Sequence, residues 1–113
     1  MNTEISADEN YQYFTNLVAE LPPIHKDSIT SRTLFSNDRI KVIIFGFASG
    51  QELSEHTASV PAIIHILSGE ADVVLGTEKI QAQAGTWAHL PAQLAHSVYA
   101  TTDLVMLLIL LQE

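Results

Sequence analysis

From residue 31 to its end the chain is cut into short runs rich in Ile, Val, Leu, Phe and Thr, with Gly, Pro or Asn-Asp between them. Each run has the length of a strand, and no interval is long enough to hold a helix. Parallel strands need long crossovers, so this pattern excludes a parallel sheet and leaves an antiparallel meander or jelly roll. The expected strands cover 31–35, 41–47, 53–57, 62–67, 71–75, 78–83, 86–90, 96–100 and 104–111. Turn chemistry separates them: Ser36-Asn37-Asp38 bonds its own backbone, and Gly69-Glu70, Gly76-Thr77 and Ala84-Gly85 form the corners. The last run, Leu104 to Leu111, is apolar without alternation, which calls for cover on both faces.

The first part of the chain reads differently. Ser6-Ala7-Asp8-Glu9 fits a capping box, in which the serine side chain and the glutamate satisfy each other's exposed amides. Tyr11, Phe14, Leu17, Val18 and Leu21 then recur at helical spacing until Pro22-Pro23 forbids continuation. A helix over about 7 to 20 is expected to pack across one open side of the barrel or to dock on a second subunit. Residues 1–28 form this helix and its linker, and 29–113 form the barrel, within one domain overall.

With 113 residues and 47% of them apolar, the chain can close one hydrophobic core. Thirteen acidic against five basic residues give a formal charge of −8, and the basic residues do not cluster. Such a balance repels a phosphate backbone, so no nucleic-acid partner is expected. No cysteine is present to form disulfides or thiolate ligands, and the acidic, polar start lacks the features of a signal peptide. The cytoplasm is the expected location. The longest apolar run falls far short of the ~20 residues of a membrane-spanning helix. No membrane partner is expected.

Two blocks carry most of the chemical information. Gly50 opens one that reads G-x5-H-x-A-x3-A-x6-G and closes at Gly69, and Gly85 opens another that reads G-x5-P-x4-H. In this arrangement Gly50, His56, Gly69, Gly85, Pro91 and His96 resemble the two conserved blocks of the cupin superfamily, over roughly residues 40 to 110. The resemblance implies an all-β, cupin-type antiparallel barrel or jelly roll, here with a short N-terminal α-helix. It also implies that His56 and His96 point into the barrel from two strands and hold a divalent transition metal such as zinc, nickel, iron or manganese. Three family positions depart from the pattern: Ala58 stands for the second histidine, Ala62 for the glutamate and Ala100 for the closing asparagine. Two imidazoles leave most of a metal's coordination to water, so the site is incomplete or rearranged.

Substitute donors would have to come from the remaining polar residues. If Ala62 faces inward, alternation sends His65 outward, against the helix or a partner subunit. His89 lies before the Pro91 loop, which breaks the register count, so it stays open as a third metal ligand. Gln93 stands where the family has glycine and is a substrate-binding candidate, its carboxamide able to reach over the mouth. Glu55 should face outward beside His56, Glu52 lies near a turn where parity fails, and His25 defaults to the surface. Gly50, Gly69, Gly85 and Pro91 serve as structural turn residues. Neither a nucleophile motif nor a phosphate-cradling glycine loop is present, Gly46 and Gly50 being too isolated. The expected activity is binding of a small polar metabolite inside the barrel. A metal-dependent enzyme of dioxygenase, isomerase or decarboxylase type and a non-catalytic dimeric scaffold are the alternatives. Apolar strands such as 40–47 invite pairing, so a homodimer is expected.

Overall fold

A computed structural model describes residues 11–112 with their side chains and residues 3–5 as a strand. Its strands are β1 (Thr3–Ile5), β2 (Gln12–Phe14), β3 (Ile29–Ser36), β4 (Ile40–Phe47), β5 (Glu52–His56), β6 (Ala62–Ser68), β7 (Glu70–Leu75), β8 (Glu78–Gln83), β9 (Trp87–Leu90), β10 (His96–Ala100) and β11 (Leu104–Leu111). The nine strands expected from residue 31 onward are all present, with bounds shifted by at most two residues. β5, β10, β7 and β8 form a four-stranded sheet in that order, and β3, β4, β11, β6 and β9 form a five-stranded one. Every pairing is antiparallel. The fold is all-β, two sheets closing on a shared core as in a jelly roll.

Register fixes which side chains face inward. In β6, Ala62, Ile64 and Ile66 are buried while Ile63, His65 and Leu67 are partly exposed. The inward row continues through Phe47, Leu104 and Met106 of the same sheet and Ala71, Val73, Val98 and Ala100 of the other. At Gly69 a positive φ of 87° turns β6 into β7, and the backbone of Asp103 sits where a side chain would project. Only glycine fits both demands. Gly50 and Gly85 also turn the chain at positive φ.

The helix expected over 7 to 20 is not what residues 11–20 form; its first residues, 7–10, lie outside the described residues. Gln12–Phe14 is a strand paired with β1, and Val18–Glu20 is a single 3-10 turn. Phe14, Leu17, Leu21 and Ile24 instead spread as a strap over Leu34, Ile44, Val105 and Leu107 on the outer face of the five-stranded sheet. A helix would present one stripe, whereas an extended strap covers a broad sheet face, and that tertiary demand overrides the helical spacing. Gly46 records the close approach, since a Cβ there would come 2.5 Å from Leu21 Cδ2 and 2.8 Å from Ile24 Cγ1. Glu20, 2% exposed, anchors the strap: Arg32 Nη1 donates to its Oε1 at 3.1 Å and to its main-chain carbonyl at 3.1 Å. The strap gives β11 cover at Val105 and Leu107, while Ile109 and Leu111 stay partly exposed. Among the described residues no helix is long and apolar enough to cross a membrane.

Candidate functional site

One end of the barrel brings together His56 and His96 of the polar residues singled out in the sequence, with Gln93 on its rim. β5 ends at His56 and β10 begins at His96, and the two are direct cross-strand partners. A register shift between this pair and Val98↔Leu53 bulges β5, which lets both Leu53 and His56 face inward despite their odd separation. The imidazole centroids lie 4.2 Å apart with the rings tilted by 55°. His96, on a central strand, is 6% exposed, while His56, on an edge strand, is open to solvent.

Both rings are oriented the same way. His56 Nδ1 lies 2.8 Å from the Ser54 carbonyl oxygen, and His96 Nδ1 lies 2.9 Å from that of Leu94. A carbonyl only accepts, so each Nδ1 carries the hydrogen, and in the neutral ring Nε2 keeps its lone pair. Among the described residues no protein group hydrogen-bonds to either Nε2. Each of the two neighbouring rings therefore keeps an Nε2 lone pair that no described residue engages.

The remaining candidates do not join them. His65 faces outward as expected, opposite Leu107 and Trp87. His89 is exposed and pairs with Ile63 on the same outer face, so it cannot complete a cage with His56 and His96, and that ligand assignment is corrected. In β9 it is Ala88 and Leu90 that point inward, a parity hidden in the sequence by the loop at Pro91. Glu52 pairs with Tyr99 at the far end of β5, Glu55 is exposed beside the bulge, and His25 is on the surface. Among the described residues no three of His, Cys, Asp and Glu gather as a metal site. The donor set is two imidazoles beside Ala58 and Ala62, which does not fit a resident metal held by protein ligands alone.

Gln93 sits on the rim. Its amide donates to the Ala58 carbonyl at 2.8 Å, tying the loop that carries His96 to the loop that follows His56. Its φ is 70°, in the left-handed region that glycine enters freely and glutamine does not. The Pro91 carbonyl closes the turn by accepting from Leu94 N at 3.3 Å.

Lys41 was missed in the sequence. It pairs with Leu110, Leu110 with Ala62, and Ala62 with Leu90, so these four form one row across the five-stranded sheet. Directly opposed residues share a face, and Ala62 is buried inward. Lys41 therefore lies on the inner face at the histidine end, half-buried and without a salt bridge or hydrogen bond to any described residue. The signal was alternation itself: Phe47, Phe45, Ile43 and Lys41 follow at every second position.

The family model for the cupin domain matches residues 43–111. Among solved structures, a conserved protein of unknown function from Streptococcus pyogenes is 28% identical, with TM-score 0.79, over 96% of this chain and 91% of that one. A cupin superfamily protein from Desulfitobacterium hafniense is 27% identical, with TM-score 0.75, over 79% of this chain and 82% of its own. Salicylate 1,2-dioxygenase from Pseudoaminobacter salicylatoxidans shares the fold alone, at 13% identity and TM-score 0.69 over 79% of this chain and 26% of that longer one. No curated protein matches the chain. With the family model spanning more than half of the sequence and the paired histidines standing on the strands where the two blocks put them, the chain belongs to the cupin family.

Proposed function

We propose that this protein binds a small polar molecule at the mouth of its barrel, held by Nε2 of His56 and Nε2 of His96, with the Gln93 carboxamide on the rim. The supporting observation is the shared orientation of the two rings. Each Nδ1 is committed to a main-chain carbonyl, which leaves two Nε2 atoms with no partner among the described residues, next to the apolar core that Leu53, Leu75 and Leu94 pack against. A mostly apolar concavity with a few convergent polar groups is the usual form of a small-molecule site. In the neutral state the pair accepts hydrogen bonds from a hydroxyl or amine; a protonated ring donates to a carbonyl or carboxylate. Titration of the full-length protein with a metabolite library, followed through the side-chain resonances of His56 and His96, tests this. Compounds that shift both resonances, and lose binding in the His56→Ala, His96→Ala double variant, are the expected result. A library in which none does so defeats the reading.

The 4.2 Å separation of the rings favours a second reading. Two adjacent imidazole nitrogens can share one transition ion if a chelating ligand supplies the other donors, which would make the protein a metal-dependent enzyme. Elemental analysis of protein purified without chelator or nickel resin decides it: near-stoichiometric metal that disappears in the double variant supports the reading, and metal-free folded protein counts against it.

A further inference from the structure

We infer that the ligand of this mouth carries a carboxylate, and that Lys41 is the residue that selects it. The inference rests on the histidine site proposed above and adds its charge partner. Along β4 the inward side chains are Phe47, Phe45, Ile43 and then Lys41, an apolar face that ends in an ammonium group. Lys41 is partly buried as a residue, and its ammonium, which is not among the buried polar atoms lacking a partner, is free to meet an anion from the mouth. No described carboxylate meets it, since the single ion pair among the described residues is Arg32 with Glu20.

Position makes the lysine part of the same site. Lys41 shares its row with Ala62 and Leu90, and these two residues border the loops that connect to the histidine strands: His56 precedes Ala62 by six positions and His96 follows Leu90 by six. The same end holds the Gln93–Ala58 tie. Charge sharpens the point. A chain with formal charge −8 repels anions from most of its surface, so a cation at the mouth with no ion-pair partner among the described residues favours an anion there.

A carboxylate brings one negative charge and two oxygens: the Lys41 ammonium donates to one, and Nε2 of a histidine that has taken up a proton from solvent donates to the other. Phosphate carries about twice that charge and is ordinarily cradled by successive backbone amides of a glycine-rich loop or by a helix N-terminus. Neither element borders this mouth: the loops here read Thr57-Ala58-Ser59-Val60-Pro61 and Pro91-Ala92-Gln93-Leu94-Ala95. The ligand class is a small organic acid whose apolar part lies against Leu75, Leu94 and Leu110.

Calorimetric titration of the full-length protein with pyruvate, benzoate, succinate and, separately, inorganic phosphate tests the inference, with the His56 and His96 side-chain resonances as the site reporter. At least one carboxylate is expected to bind and to shift both resonances. Lys41→Met should weaken that binding about tenfold or more, as loss of a charge-assisted contact does, and Lys41→Arg should largely retain it. Unchanged thermal unfolding of Lys41→Met shows that the loss is local. Carboxylate binding that is equal in wild type and Lys41→Met, but absent in the double histidine variant, overturns the role of Lys41 and leaves the histidine site standing. Binding lost in Lys41→Met but kept in the double histidine variant overturns the shared site instead. Phosphate bound more tightly than every carboxylate, or no carboxylate bound at all, overturns the ligand class.

Discussion

The two ends of the barrel are built from the same strands and behave as different materials. On β4, Phe47 is fully buried, whereas Phe45, Ile43 and Lys41 are progressively nearer the mouth and only partly buried. β11 repeats the gradient, from Leu104 and Met106, buried, to Leu108 and Leu110, partly exposed. At the closed end, short connections pull the sheets together and side chains interlock. At the open end β5 bulges, Gln93 takes a left-handed backbone, and histidine and lysine stand where the other end has phenylalanine and leucine. Stability is concentrated at one end so that the other can hold polar groups that a sealed core would exclude.

The sharpest test of that division is Phe47→Ala, which removes a fully buried ring at the closed end and should cost ~3–5 kcal/mol of stability in denaturant unfolding. A loss no larger than that of a mouth variant would erase the contrast. Arg32→Met probes the strap, which belongs to neither end: it leaves the Glu20 carboxylate without its guanidinium, at a cost of ~2–3 kcal/mol because the arginine side chain is itself 34% exposed. An unchanged melting temperature would show that the strap contributes little beyond cover. At the mouth the sign should reverse. Gln93→Gly relieves a left-handed glutamine and should gain ~0.5 kcal/mol while weakening ligand binding, so equal stability with unchanged binding would make Gln93 an ordinary loop residue. Smallest of all, His56→Ala on the exposed edge strand should change stability by less than ~0.5 kcal/mol. A larger loss would mean that the histidine pair holds the barrel together.

How legible each region was follows the same physics. Strands whose alternation was unbroken could be read directly: β6 gave the inward Ala62 and the outward His65, and β8, β10 and β11 took their expected bounds. Where a bulge or loop interrupts the count, parity fails, and so His89 stayed open until its pairing with Ile63 put it outside. Lys41 was visible in the alternation of β4 but stood outside the family blocks that drew the reading to histidines. For the strap, the spacing Phe14, Leu17 and Leu21 suits a helix as well as an extended chain, and only the width of the sheet face beneath decides between them. Glu20, where the expected helix would end, is buried and paired with Arg32 on β3, a contact twelve residues distant that no local pattern encodes.

Trp87, 58% exposed on the edge strand β9, is the chain's single tryptophan and faces away from the mouth. Its emission should therefore be close to that of an indole in water, changing little when a ligand enters the barrel or when the chain unfolds. The same placement makes it an optical gauge of the opposite surface: a blue shift that grows with protein concentration would register a second copy settling over β6 and β9, without any label.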